Sequence, residues 1–261
     1  MNSKYLGYYF ANILQLRYSF AYIEWFLKYA RTLRKFKNLH HGKDCFILGN
    51  GPSLNKIDLD QLSEYYTFGL NKIFLLFDKV NYRPTYHVAV NRLVIEQSIK
   101  EFEALPCTSF LSFFPSRNKF KNLEHINFIL TGGPSVFRKN LVGLVDEGWT
   151  VTYVAMQIAY YMGFKNVFLV GVDHNFIVSG APNEPQLFKG DDVNHFDSNY
   201  FSNMEWQPPD LRGSESSYHL AKLCYEKSGR NIFDATVDGK LQVFPKLSFE
   251  KALVTCKKRN G

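Results

Sequence analysis

Three asparagines, Asn50, Asn71 and Asn91, each end a short apolar run, at spacings of 21 and 20 residues. A carboxamide offers donors and an acceptor without charge, so it can hold a phosphate, a ribose or a base edge without the repulsion of a carboxylate. A single Asn at such a place is a common turn residue, because it tolerates left-handed backbone and bonds its own main chain. Three in matching positions point to a site. The first lies in the turn Gly49-Asn50-Gly51-Pro52-Ser53-Leu54. Glycines there let backbone approach closely, Pro52 fixes its own φ and Ser53 adds a hydroxyl, which suits phosphate or ribose contact. The turn lacks the Gly-Lys-Ser/Thr of a Walker loop. A dinucleotide fingerprint also fails, with Leu54 in place of the third glycine and Asn71 where an acid would hold the ribose, so hydride transfer is disfavoured.

Asp173 follows a later apolar run in Gly171-Val172-Asp173. With Thr152 and Gly171 added, the expected nucleotide-binding set is Asn50, Gly51, Pro52, Ser53, Asn71, Asn91, Thr152 and Gly171. A polar stretch, Gly190-Asp191-Asp192-Val193-Asn194-His195-Phe196, lies between Pro185 and Pro208. Asp191, Asp192 and His195 have metal-ligand chemistry, but adjacent aspartates splay apart in extended chain, so no metal site is assigned. His195 is the preferred general base, since an imidazole titrates near neutrality and can take a proton from a sugar hydroxyl. His174, beside Asp173, is the rival base, and Asn194 and Asp192 are secondary or acceptor-side candidates. His87 and His219 read as structural. No nucleophile-elbow sequence surrounds any Ser or Cys.

These residues need a scaffold that brings strand ends together. Runs at 44–49, 66–70, 85–90, 110–113, 126–130, 167–171 and 231–234 read as strands, alternating with helical segments such as Val154 to Met162. The alternation predicts an α/β fold with a Rossmann-like, doubly wound, mainly parallel sheet, in which ligands bind beyond the carboxyl ends of the strands. Residues 44–261 form a single domain on this reading, with no internal repeat or linker. The four cysteines, Cys45, Cys107, Cys224 and Cys256, are far apart and form no zinc or disulfide pattern.

The 261 residues carry a net charge of +7. Residues 1–43 hold eight basic side chains against one acid, Glu24, so all of that excess sits in one basic extension. Nucleic-acid binding is not expected of a charge so confined. Tyr9, Ile13, Leu16, Phe20, Ile23, Leu27 and Ala30 step by four and three, the mark of one helical face. Arg17 and Glu24 interrupt it, so a transmembrane span is not expected. An aromatic-plus-basic helix fits either an anionic membrane surface or packing, on the body or on a second copy in a homo-oligomer. The expected location is the cytoplasm, peripheral on the inner membrane face.

FILGNGPSL, residues 46–54, resembles the nucleotide-binding turn of bacterial sialyltransferases that build lipo-oligosaccharide. Asn71, Asn91 and the Gly171-Val172-Asp173 strand end continue the resemblance, which extends to a family described as hydroxymethylpterin pyrophosphokinase-like and to glycosyltransferase domains of flagellin-modifying proteins. It implies a Rossmann-like domain, a CMP-activated sugar donor, a glycan or glycolipid acceptor and no required cofactor. His195 and Asp173 become the catalytic candidates. Where the sialyltransferases have a catalytic His before the last helix, this chain has Gly213-Ser214-Glu215, and His174 and Phe176 stand where tyrosines would follow the Gly-Ile-Asp. The pyrophosphokinase alternative would need Mg²⁺ on Asp173, Asp191 or Asp192, and a non-catalytic nucleotide-binding protein at the membrane is the third reading.

Overall fold

The computed structural model describes residues 19–121, 124–133, 136–177 and 180–259. Eight strands form one sheet: β1 (Asp44–Leu48), β2 (Tyr66–Leu70), β3 (Tyr86–Ala89), β4 (Thr108–Ser112), β5 (Ile126–Thr131), β6 (Leu144–Val145), β7 (Asn166–Val170) and, late in the chain, β10 (Asn231–Asp234). Between them, β8 (Gln186–Leu187) and β9 (Glu205–Trp206) pair antiparallel as a separate ribbon. The order in the main sheet is β10-β7-β1-β2-β3-β4-β5-β6, and every pair is parallel. The chain runs outward from β1 to β6, then returns to lay β7 on the other side of β1. That reversal is the switch point at which doubly wound sheets open a crevice, and the expected fold class is the one observed.

The helices are α1 (Arg92–Gln97), α2 (Ile99–Glu103), α3 (Phe113–Ser116), α4 (Val151–Tyr161), α5 (Leu211–Glu226) and α6 (Phe249–Thr255). All five residues of β1 are buried, as a strand covered on both faces requires. Cys45 and Ile47 join the core under α4 and α5, with Ala155, Ile158, Ala159, Ala221 and Tyr225. Phe46 and Leu48 face the opposite core, with Leu54, Leu62, Phe102, Phe196 and Phe249.

α4 is built for close approach. Thr150 caps its start by accepting from the Thr152 amide, and Ala155 and Ala159 let it lie against the sheet. At its far end the segment 38–42 supplies donors for carbonyls that the helix leaves open: Asn38 N–H to Tyr161 O, His40 N–H to Met162 O and Gly42 N–H to Gly163 O, at 2.8–3.0 Å. Gly163 sits at φ +91, and a Cβ there would lie 2.9 Å from the His41 Cα, so only glycine allows this contact.

The N-terminal segment departs from the expected stripe. Tyr9, Ile13 and Leu16 lie outside the described residues. Phe20, Ile23 and Leu27 are exposed, whereas Ala21, Trp25, Ala30, Leu33 and Phe36 are buried in the core of the body. The 3.6-residue period is broken by a π-helical turn at Phe26–Ala30 and a 3₁₀ turn at Thr32–Phe36, so Ala30 does not continue the face of Leu27. Packing therefore runs across the expected boundary at residues 43 and 44, and the chain from Ala21 onward shares the core. The long helix also begins earlier than on a reading with Gly213-Ser214-Glu215 in front of it. Asp210 caps α5 by accepting from Gly213 N–H at 2.8 Å, which puts Gly213, Ser214 and Glu215 inside its first turn.

Trp25 is fully buried and its Nε1–H donates to Phe128 O at 2.8 Å. Trp25→Ala should lower stability by about 3–5 kcal/mol in urea unfolding, as expected for emptying a core tryptophan site. Leu27→Ser, on the exposed side of the same helix, should shift it by less than about 0.5 kcal/mol. Equal effects would mean that residues 21–36 are not part of the core.

Candidate functional site

A cleft of about 620 Å³ opens beyond the carboxyl ends of β1, β2, β3 and β7 and extends to the loops after β5 and β6. The turn after β1 is pressed against the turn after β7. Gly49 N–H donates to Val170 O and Gly51 N–H to Gly171 O. A Cβ on Gly49 would lie 2.2 Å from the Gly171 oxygen, and one on Gly51 would lie 1.9 Å from Asp173 Oδ2. Gly171, at φ +67, has Leu54 at 2.6 Å from where its own Cβ would be. These glycines serve strand-end packing first, and by doing so they expose Asn50 to the cleft.

Ser53 does not line the cleft and neither does Pro52, contrary to expectation. Pro52 opens the 3₁₀ turn Pro52–Lys56. Ser53 donates to Asp173 twice, from its amide to Oδ1 at 3.1 Å and from its hydroxyl to Oδ2 at 2.6 Å. Asp173 does border the cleft, but both of its oxygens are engaged in this clamp. Burial pushes its carboxyl above the ordinary range, and the Ser53 bonds and Lys56 pull it back. The expected catalytic Asp173 is thus a positioning residue that joins β7 to the Asn50 turn.

The three asparagines divide in the same way. Asn91 is the N-cap of α1: its Oδ1 accepts from Val94 N–H at 3.2 Å and its Nδ2 donates to Gln207 Oε1 at 2.9 Å. Asn50 and Asn71 differ, because Oδ1 of each is buried without a hydrogen-bond partner. Asn71 is held at φ +47, with its amide donating to Val88 O and its carbonyl accepting from His87 Nε2 at 2.8 Å. His87 is fully buried and structural, as expected, and it is the residue that fixes Asn71. Both residues line the cleft, the Asn71 carboxamide beside the Tyr200 hydroxyl, and buried carboxamides of this kind are suited to bind a ligand with hydrogen-bond donors.

Beside these two asparagines stands His195, in a loop that also borders the cleft. Its Nδ1 meets Asp192 Oδ2 at 2.8 Å, and its ring stacks on Tyr200 at 4.0 Å and 6°. Asp192 is itself fixed by Asn194 N–H at 2.9 Å. With Nδ1 committed to the carboxylate, Nε2 is the nitrogen left for chemistry. Asn194 straps the loop, its Oδ1 accepting from Ile177 N–H and its Nδ2 donating to Ile177 O. Phe196 N–H donates to Asn50 O at 2.9 Å, so the His195 loop is tied to the β1 turn. Below Tyr200, the buried Lys72 donates to Tyr200 O and Gln97 Oε1 at 2.9 Å, and burial lowers its ammonium to about 8. His174, at φ +53, is instead turned toward Glu215 Oε1 at 3.0 Å. Thr152 and Gly171 both border the cleft.

The carboxylates named for Mg²⁺ do not converge. Asp173 is taken by Ser53, Asp192 by His195 and Asn194, and Asp191 is exposed and outside the cleft. Among the described residues no group of three or more His, Cys, Asp or Glu is placed to hold a metal, so no step is derived through one. Asp146, Glu147, Trp149, Thr150 and Tyr218 line the cleft without having been singled out from sequence. One signal was present: Thr131-Gly132-Gly133-Pro134-Ser135 repeats the outline of the Gly49 turn after another strand.

The fold and this site define a Rossmann-like domain with a ligand cleft at its switch point. The chain belongs to the MptE-like family, described as 6-hydroxymethylpterin diphosphokinase MptE-like, which matches residues 22–179. Among curated proteins none matches the sequence. Among solved structures it is similar to the MAf glycosyltransferase from Magnetospirillum magneticum AMB-1, with a TM-score of 0.52 and 16% identity. That similarity covers 88% of this chain and 39% of the other, so this chain spans well under half of that protein, and at this identity the likeness concerns the fold.

His87 gives a pH dependence whose sign can be worked out. Burial lowers its imidazole from 6.5 to about 4, so the unfolded state takes the proton first. Its contribution to stability is complete above pH 6.5 and is lost as pH falls toward about 4. His40, lowered to about 4 by burial, acts in the same direction. Asp146, Glu147 and Asp173 are raised and act oppositely. The difference between His87→Gln and wild type isolates the His87 contribution: the variant's urea midpoint should fall less steeply between pH 6.5 and 4. Parallel curves would mean that His87 takes up its proton as readily in the fold as in the unfolded chain.

Proposed function

We propose that this chain is a glycosyltransferase domain that moves a sugar from a CMP-linked donor to a hydroxyl of a glycan or glycolipid. The observation that carries the reading is the pairing of two unpartnered buried carboxamide oxygens, Asn50 Oδ1 and Asn71 Oδ1, with the Asp192–His195 pair in one cleft. Asn50 and Asn71 accept from donors of the nucleoside or sugar. Thr150, Val151 and Thr152 place the N-terminus of α4 at the cleft, where its dipole favours a phosphate. No Lys or Arg is among the described cleft-lining residues, while Asp146, Glu147 and Asp173 are. A single phosphodiester charge suits that field better than a triphosphate.

In the reaction the acceptor oxygen attacks the anomeric carbon while its proton passes to His195 Nε2. The bond between the anomeric carbon and the phosphate oxygen breaks, and CMP leaves with the bonding pair. Asp192 holds the imidazole in the required tautomer and stabilises the imidazolium that forms. Asn71→Gly removes the carboxamide but accepts the left-handed backbone. It should weaken CMP binding by about 1–3 kcal/mol in calorimetric titration. His195→Ala should lower turnover by roughly 10²–10⁴ with little change in CMP affinity. Thermal shift separates the alternatives: a shift with CMP alone supports this reading. One that requires ATP and Mg²⁺ supports diphosphate transfer, and none with any nucleotide supports a non-catalytic role.

The same reading extends to an anionic membrane surface as partner. Phe20, Ile23 and Leu27 are exposed beside exposed Lys28, Arg31, Arg34, Lys35 and Lys37. No helix among the described residues is long and apolar enough to cross a membrane. Each basic residue near an anionic leaflet contributes about 1 kcal/mol, an effect that salt screens. Co-sedimentation with phosphatidylserine vesicles should weaken with salt and drop on replacing Arg31, Arg34 and Lys35 with Gln. Binding that is indifferent to these charges would leave the surface to another partner.

A further inference from the structure

Trp149 is an outlier on three counts. It is a bulky residue at φ +65, where β-carbon crowding normally admits glycine or asparagine. It is 52% exposed, whereas the other two tryptophans, Trp25 and Trp206, are buried. Its ring is nonetheless seated, because Gly213 in the first turn of α5 leaves room for it: a Cβ on Gly213 would lie 2.6 Å from Trp149 Cγ. Strained backbone that persists at a cleft is a recurrent mark of ligand contact. The ring borders the cleft just before the Thr150 cap of α4 and against the first turn of α5.

Two carboxylates precede it. Asp146 is 2% exposed, with Oδ1 accepting from Gly148 N–H at 2.9 Å and its carboxylate also drawn to the Val136 amide and Arg138. Glu147 accepts at Oε1 from the Thr131 hydroxyl at 2.6 Å and borders the cleft. An aromatic face carries partial negative charge and attracts the polarised C–H edge of a pyranose. Carboxylate oxygens accept from its hydroxyls and repel an acidic sugar.

Resting on the glycosyltransferase reading, we propose that Trp149, Asp146 and Glu147 form a saccharide subsite for the acceptor, which takes a neutral pyranose, a hexose or N-acetylhexosamine, stacked on the Trp149 indole. The donor's sugar could in principle reach the same ring, and the test separates the two. Trp149→Gly is the informative variant, since glycine fits the backbone and its melting temperature should match or exceed that of wild type.

Saturation-transfer NMR with methyl β-galactoside and methyl N-acetyl-β-glucosaminide should show binding to wild type, weakened about tenfold or more in Trp149→Gly. The CMP thermal shift and the affinity difference between CMP and CMP-N-acetylneuraminate should survive the substitution. The subsite is overturned if neither glycoside binds wild type, or if both bind the variant equally well. Loss of the CMP shift in a folded variant would make Trp149 a base platform, and loss of the difference between CMP and its sugar conjugate would make it a donor site; either overturns the acceptor assignment. If wild type binds the glycosides but shows no CMP shift, the nucleotide reading fails and the saccharide subsite stands.

Discussion

Everything at the cleft depends on how closely the β1 and β7 strand ends approach. Parallel neighbours lie about 4.8 Å apart, and here the turns that leave them stay in contact instead of diverging. Gly51 N–H bonds Gly171 O, and Asp173 receives the amide and hydroxyl of Ser53. No side chain fits at Gly49 or Gly51 under those conditions. The clamp sets the height of Asn50, and Asn50 O in turn takes the Phe196 amide, which fixes the loop carrying His195. One short contact between two turns thus places the binding side and the chemical side of the cleft relative to each other.

The same economy appears at the opposite end of α4. Its N-terminus serves the cleft through Thr150 and Thr152, while its C-terminal carbonyls are met by the amides of residues 38–42. Satisfied ends and an apolar seat leave α4 little freedom to tilt. The N-terminal segment therefore acts on the site at a distance, by holding the helix whose dipole faces it. Trp25, Leu33 and Phe36 make that segment part of the body's core, even though its charge marks it as a separate block in the sequence.

The parallel sheet was legible because most strands are short apolar runs closed by Asn, Gly or Asp, β4 with its Ser112-Phe113 end being the exception, and all seven runs named from sequence became strands. The placement of Asn50 and Asn71 at strand ends that line the cleft was legible for the same reason. Asn91 looked identical in sequence but is an N-cap, a distinction that depends on whether a helix begins one or several residues later. Asp173 was named at the cleft, but no pattern along the chain reveals that Ser53 bonds both of its oxygens. His195 was preferred to His174 on chemistry alone; both line the cleft beside a carboxylate, and the differences between them, a buried Asp192 and a Tyr200 platform against an exposed Glu215, are tertiary. The exposed stripe of the first helix was read as one with the buried face because a π turn cannot be seen in a 3.6-residue period.

The field inside the cleft ties these parts together. With no Lys or Arg among the described lining residues, the groups at the cleft surface that offer positive potential to a phosphate are the first turn of α4 and, once protonated, His195, with the buried Lys72 behind Tyr200. A helix end supplies about half a unit charge, and under the proposed transfer the imidazolium would form only as the acceptor hydroxyl ionises. On that proposal, attraction for the leaving phosphate would grow through the reaction, as its charge rises from one to two. A permanent arginine would bind donor and product alike. A charge that appears with the proton transfer strengthens in the transition state, which is the condition for lowering the barrier instead of only tightening the ground-state complex.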